Sequence, residues 1–455
     1  MRVLLVEPPI CRHDVGTGVI GMAEPLSLEC VAAALAHHEV RILDMRLDRD
    51  LDRALRTFKP HTVGVGAYTV GVNNAKAVLQ QAKRHDARIR TIVGGHHATV
   101  KPRDFSESYV DAVVVGEGEL TFPELLEAFE GAKDLRGIQG LGLPEGGGIV
   151  LTPERPLSDL DTLPFPARHL VSQYRQSYFR GKWRPIVSMF TSRGCPHRCS
   201  FCGMWKVHRG KYRLRSPERV VEELKQIPEE YVDVVDDNTF ENVAWARRLA
   251  ALIGEAGIRK RYKVYARSDT LAKHPEVIRD WKAIGLDTVL VGIESVGQGN
   301  LGKWNKRSSV ELNEAALKAL KEQDVEIASY FVVDPDFAEK DFAELKAYID
   351  RWELHHPAFT ILTPFPGTDL FDSVQDRIRH PDYELFDFFH VVLPTRLAEP
   401  VFYERFVDLY KYAYSFSRAA RHLKKQRFFG VSLRQLLLRR RFFAQLDGLV
   451  KAHSG

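Results

Sequence analysis

The 455-residue chain is poor in cysteine, with five in all, and it has no apolar run long enough to cross a bilayer. So few cysteines make no disulfide framework, and three of the five crowd into one short loop. That pattern points to a metal site in a reducing cytosol. The apolar start MRVLLVEPPI stops at a proline pair with no small-residue cleavage site behind it. It reads as a first β-strand and not as a secretory signal. Charge is scarce in net terms too, +5 from 65 Lys and Arg against 60 Asp and Glu. From Arg421 onward nine basic residues face one acid, Asp447, so the first 420 residues sum to −3. The basic character belongs to the tail, and a nucleic-acid partner is not expected of a net acidic body.

What is present is an α/β pattern, repeated twice. In the first 135 residues the short runs RVLLVEP, EVRILDM, TVGVGAYT, RTIVGGHH and AVVVGEG alternate with helical stretches such as NNAKAVLQQAKRH. Strands that are apolar throughout and separated by helices predict a parallel sheet covered on both faces, of the flavodoxin-like (Rossmann-type) kind. Glycines gather just past the strand ends, at Gly66, Gly94, Gly95, Gly116 and Gly118. That edge is where such sheets bind ligands. Residues 136–184 are irregular, rich in Gly, Pro and charge, and read as a linker. A second alternation over 185–375 has six candidate strands, PIVSMFTS, YVDVVDD, YKVYAR, TVLVGIES, EIASYFVVD and FTILTPFP. Six repeats predict an incomplete parallel barrel, a partial (β/α)6 unit with its site at the carboxyl ends of the strands. Residues 376–455 read as a helical, basic C-terminal region.

The stretch TSRGCPHRCSFCGMW places Cys195, Cys199 and Cys202 in C-x3-C-x2-C spacing, directly after a barrel strand. Three thiolates on one loop can hold three irons of a [4Fe–4S] cubane and leave the fourth iron open to an exogenous ligand. Cys11 and Cys30, the remaining cysteines, fall in the other domain. A zinc knuckle completed by His197 or His208 is the alternative.

With an aromatic residue before its last cysteine, CPHRCSFC resembles the signature of the radical S-adenosylmethionine (SAM) enzymes. The resemblance implies that SAM chelates the open iron and is cleaved to a 5′-deoxyadenosyl radical that abstracts hydrogen. It further implies SAM contacts at the strand ends VVDDN (Asp236, Asp237), YARSD (Arg267, Ser268) and GIES (Gly292, Glu294), with Asp237, Arg267 and Glu294 the expected binders. TPFPGT, around Pro364 to Thr368, is similar to a turn after the family's last strand. The loop DPDF, with Asp334 and Asp336, departs from the Gly-x-Pro-Gly-Glu turn of many relatives.

A flavodoxin-like domain ahead of such a barrel resembles the cobalamin-binding class of that family. The match implies cobalamin contacts at Gly66, Tyr68, Thr69, Gly94, Gly95 and Gly116, chiefly through backbone, with Glu117 bonding tail or amide groups. The Asp-x-His-x-x-Gly cobalt-ligand motif is absent. For His96 and His97 a structural or tail-facing hydrogen bond is expected ahead of cobalt ligation.

Together the resemblances imply a cobalamin-dependent radical SAM methyltransferase acting on an unactivated carbon through methylcobalamin. A radical SAM oxidoreductase, cyclase or carbon–carbon coupling enzyme is the alternative. Such chemistry needs no activated side-chain nucleophile, and no catalytic side chain is singled out. FVVDPDF and VVLPTRLAEPVFYERF look most like the branch that includes hopanoid C-3 methylases, which implies a lipid or polycyclic terpenoid substrate. The tail RHLKKQRFFGVSLRQLLLRRRFFAQL mixes basic and apolar residues and is expected to touch anionic lipid peripherally. A cytoplasmic enzyme at the inner membrane surface, fed by an external flavodoxin- or ferredoxin-type electron donor, completes the expectation.

Overall fold

The computed structural model describes residues 1–415, 418 and 433–453. Its first sheet holds β1 (Arg2–Glu7), β2 (Glu39–Asp44), β3 (Thr62–Gly66), β4 (Arg90–Gly94) and β5 (Ala112–Val114), parallel in the order β2-β1-β3-β4-β5. This is the flavodoxin order. The run VLLV explains why both faces are covered. Val3 and Leu5 pack with Leu28 and Leu125 from helices Leu26–Ala33 and Gly118–Gly131. Leu4 and Val6 pack on the opposite side with Leu55 and Val78 from Leu51–Phe58 and Val72–His85.

The stretch read as a linker contains structure of its own. β6 (Leu141–Glu145) and β7 (Gly148–Leu151) form a hairpin that extends the first sheet antiparallel beyond β5. Its turn is Gly146–Gly147, with φ of 58° and 80°. Two left-handed residues between short apolar runs suit a tight hairpin. The same glycine content gives a linker its composition. Val171, Tyr178 and Trp183 farther along are buried in the first domain's core.

The second sheet comprises β8 (Ile186–Met189), β9 (Tyr231–Val234), β10 (Arg261–Arg267), β11 (Leu286–Glu294), β12 (Glu326–Val333) and β13 (His356–Ile361). They are parallel and in chain order, an open six-stranded barrel. Helix Pro217–Gln226 starts with Ser216 accepting from the Arg219 N–H at 3.3 Å and with Pro217 and Glu218 in the first turn, residues that suit a helix N-terminus.

Beyond the barrel the chain is helical over Glu399–Ala413 and Leu433–His453. Residues 378–398 are irregular apart from one turn at Tyr383–Leu385, which leans back on Thr69–Gly71 of the first domain. Among the described residues no helix is long and apolar enough to cross a membrane. Residues 419–432, which carry much of the tail's charge, lie outside the described residues.

Candidate functional site

The cysteine loop leaves the carboxyl end of β8 and is held by the next strand's two aspartates. Asp236 accepts from the backbone N–H groups of Thr191 (2.6 Å) and Ser192 (3.0 Å), and Asp237 from that of Gly194 (2.9 Å). At Gly194, with φ of 90°, a side chain would collide with the Lys211 carbonyl. On the far side the Ser200 N–H donates to Trp304 O, and the Leu370 N–H donates to Ser200 O. Phe201 stands edge-on to Trp304 over a small apolar cluster with Val332, Leu362 and Leu370. All three cysteines are free thiols. Burial pushes Cys195 up to about 11 and Cys202 to about 12, so binding iron has to displace their protons.

The zinc alternative finds no ligand here. His197 Nε2 lies 3.0 Å from Glu241, and His208 Nδ1 lies 3.4 Å from Arg213. Among the described residues no group of His, Cys, Asp or Glu converges tightly enough for a single metal ion. Three thiols spread along one anchored loop fit a cubane, whose irons each take one thiolate.

The other predicted barrel residues gather around this loop, but in different roles. Arg267 Nη1 points at Cys199 Sγ across 3.8 Å. Asp269 (2.9 Å) and the Lys306 carbonyl (2.7 Å) hold its guanidinium there. Glu294, at φ 61°, ends β11 at a register shift and accepts from Lys306 Nζ at 2.7 Å. Asp237 is already bonded to the loop itself. In the DPDF turn Asp334 and Asp336 face Lys303, at 2.9 and 3.6 Å. Thr368 caps helix Asp369–Val374, accepting from the Phe371 N–H at 3.0 Å. Asp269 closes the YARSD strand end and Lys306 lies in no motif; only the fold shows that they hold Arg267 and Glu294.

The carboxyl edge of the first sheet faces the same loop. A methyl group at Gly203, beside Cys202, would come within 3.5 Å of His96 Nε2 and 3.7 Å of Thr368. Tyr68 stands 60% exposed just past the end of β3. At Gly116, with φ of 91°, a Cβ would meet nothing within 4 Å, and Gly66 has one neighbour at 3.7 Å. Gly94 packs on Val114, and a Cβ at Gly95 would press on the Ala67 backbone at 3.0 Å. An open, glycine-lined edge with a free aromatic fits a large planar cofactor whose faces lie against backbone.

His97 is fully buried with both ring nitrogens engaged, Nδ1 with Thr69 Oγ1 at 3.1 Å and Nε2 with Asp104 at 2.9 Å. Tyr383 also bonds Asp104, at 2.8 Å, and stacks edge-on against the imidazole. The ring ties the first domain to the C-terminal segment and has no lone pair left for cobalt. Protein loaded with cob(II)alamin is therefore expected to give the same paramagnetic resonance spectrum before and after His97→Gln; loss of a nitrogen coupling in the variant would make His97 a ligand.

Glu117 does not present an open acceptor to a cofactor tail. Its carboxylate accepts from Arg193 (2.9 Å), Arg213 (2.6 Å) and the Ser158 N–H (3.0 Å). Glu119 takes the other arm of Arg193 at 2.5 Å. These arginines flank the cysteine loop, so the two carboxylates clamp the first domain onto the barrel.

The B12 binding domain family matches residues 12–126, and the radical SAM superfamily matches residues 189–349. The chain is 33% identical over 429 residues to the hopanoid C-3 methylase of Methylococcus capsulatus, covering 91% of this chain and 80% of that protein. It is 30% identical over 388 residues to an uncharacterized methyltransferase, PH0819, of Pyrococcus horikoshii, covering 82% and 83%. The structure of OxsB, a cobalamin-dependent SAM radical enzyme with aqua-cobalamin and SAM bound, superposes with a TM-score of 0.74 at 14% identity, over 99% of this chain and 71% of that one. The last match establishes a common fold, the sequence relatives establish more, and the chain belongs to the B12-binding radical SAM enzymes as a cobalamin-dependent methyltransferase that works with a [4Fe–4S] cluster and SAM.

Proposed function

We propose that the methyl acceptor is an unactivated carbon of a lipid, of the polycyclic terpenoid class to which hopanoids belong. The observation that carries this reading is the 33% identity to a hopanoid C-3 methylase, which spans both domains and continues into the C-terminal region. The C-terminal helix adds support. Leu437 is 53% exposed on it, with Arg440 and Arg441 beside it, while Phe442, Leu446 and Leu449 pack inward. An exposed leucine among arginines suits contact with an anionic membrane surface.

On this reading Cys195, Cys199 and Cys202 hold the cluster, while Asp237, Arg267 and Glu294 border the SAM site. The edge from Gly66 to Thr69, with Gly94, Gly95, His96 and Gly116, cradles cobalamin. When bound, the cluster with SAM supplies radical hydrogen abstraction, and cobalamin supplies the methyl group. The chain's own part is to fix Arg267 beside a cluster thiolate, to close the two carboxyl edges on each other through Glu117 and Glu119, and to exclude water between them. The reductant comes from an external donor of flavodoxin or ferredoxin type.

The test is expression in a hopanoid-producing bacterium without its own C-3 methylase, with lipids read by mass spectrometry. The expected outcome is a hopanoid one methylene heavier, absent when Cys199→Ser replaces the parent chain. If purified protein forms 5′-deoxyadenosine but no cell lipid gains a methyl group, the terpenoid assignment falls and the methyltransferase stands.

A further inference from the structure

The interior of the barrel carries charge that the chemistry at its mouth does not use. Strand register sorts its inward side chains into rows. Ser188, Asp233, Lys263, Thr288 and Glu326 are cross-strand partners in the lowest row. Tyr265, Leu290 and Ala328 form the next. Arg267, Gly292, Tyr330 and Ala358 form the highest, level with Cys199. Residues between these rows, such as Val264, Val289 and Val291, point outward and are wholly buried under the helices. The inward Tyr265, Leu290, Ala328, Tyr330 and Ala358 all keep partial exposure. Closed parallel barrels fill their interiors with branched side chains. Here two alanines and two half-exposed tyrosines leave an accessible lumen.

Its floor is positively charged. Lys263 Nζ lies 3.3 Å from Asp233 and donates to the Tyr265 hydroxyl at 2.7 Å. Arg180, entering from the two-residue strand Phe179–Arg180, reaches the same carboxylate at 3.4 Å. Glu326 shares the row but is drawn away to Lys182 (2.9 Å) and His356 (3.2 Å). Two cations therefore share one carboxylate, with the phenols of Tyr265 and Tyr330 as the other titratable neighbours. The surplus rests with Arg180, whose side chain is 38% exposed and so open to an anionic group entering the lumen. Burial depresses the Lys263 pKa, which a bound anion would restore.

We infer that this lumen is a substrate pocket whose floor, Lys263 with Arg180, binds an anionic oxygen group, carboxylate or phosphate, on the part of the substrate remote from the reacting carbon. From Arg267 down to Lys263 is four residues of one strand, about 13 Å. The inference rests on the methyltransferase reading and deepens it. Within the lipid class it selects a molecule with an acidic group, since a pure hydrocarbon offers this floor nothing.

The test is anoxic titration calorimetry of the holoenzyme with decanoate, decyl phosphate and decanol. At least one of the two anions is expected to bind about tenfold or more tighter than the alcohol, the scale of a charge-assisted hydrogen bond. The stronger of the two names the head group. Lys263→Met and Arg180→Gln are each expected to erase that preference while leaving decanol within twofold. Arg180→Gln leaves Asp233 paired with Lys263, and it serves where Lys263→Met does not fold. Equal binding of all three probes by the parent protein, or an unchanged preference in Arg180→Gln, would overturn the inference. Iron content, cobalamin per chain and 5′-deoxyadenosine formation are read on the same preparations. Their failure in the parent protein would strike the cofactor reading, whereas their persistence without anion preference strikes the floor alone.

Discussion

Serine at position 195, 199 or 202 is expected to reduce 5′-deoxyadenosine formation to background and to cost the protein its cluster iron, with the fold retained. The effect is large because none of the described residues nearby can substitute. His197 is bonded to Glu241, His208 faces Arg213, and Cys11 donates its thiol to the Val70 carbonyl in the first domain. Iron and sulfide per chain, read with the visible spectrum after anaerobic reconstitution, decide the matter. A full cluster in any single variant would mean that a fourth protein ligand exists. Arg267→Met is expected to act differently. It leaves all three thiolates in place and removes the cation 3.8 Å from Cys199 Sγ. A positive charge there favours the reduced, more negative cluster, so its loss should lower the midpoint potential. Turnover is expected to fall about 10- to 100-fold with iron content unchanged, as for other groups that act through a metal ligand. A spectroelectrochemical titration separates this from simple misfolding.

Much of this was legible in the chain because it is written locally. Unbroken apolar runs such as VLLV and VGVG mark two-sided parallel strands, and Ser216–Pro217–Glu218 marks a helix start. The cysteine spacing marks a cluster loop before any partner is known. What stayed hidden depends on residues far apart in sequence. Glu117 meets Arg193 and Arg213 across the domain boundary, and no spacing in the sequence links the three. For His97 the sequence favours a hydrogen-bonding role over cobalt ligation, but the partners that fill it, Thr69 and Asp104, appear only in the fold. Gly146–Gly147 reads as linker until the flanking apolar runs pair. The lumen was invisible for a related reason. Alternation along β11 and β12 tells which residues share a face, but only the register shows that Lys263, Asp233 and Glu326 share a row.

Glu117→Gln is expected to loosen the junction between the two domains. The carboxylate is 10% exposed and joined to two arginines that are themselves mostly covered. Burial alone would raise its pKa, but hydrogen bonding from Arg213 and the charge of Arg193 overcome this and hold it at about 2, against 4.5 for a free glutamate. A carboxylate depressed in the folded state stabilises it above the unfolded pKa. That stabilisation drains away as pH falls from about 4.5 to about 2. The shift is worth about 3 kcal/mol at neutral pH, in line with breaking a buried ion pair by removing one partner. Glu154, 71% exposed and paired with Arg209, is the contrasting case, and Glu154→Gln should change stability by less than about 1 kcal/mol. Denaturant unfolding of the three proteins at pH 7 should therefore show a large loss for Glu117→Gln alone. The gap from the parent should narrow below pH 4.5, where the unfolded parent's carboxyl takes up its proton, and close near pH 2, where the folded one does. Cobalamin should also leave the variant faster, because the Gly116–Gly118 edge is no longer pulled toward the cysteine loop. A variant as stable as the parent would mean that Glu119, through Arg193, carries the clamp by itself; Glu119→Gln would then take over the predicted loss.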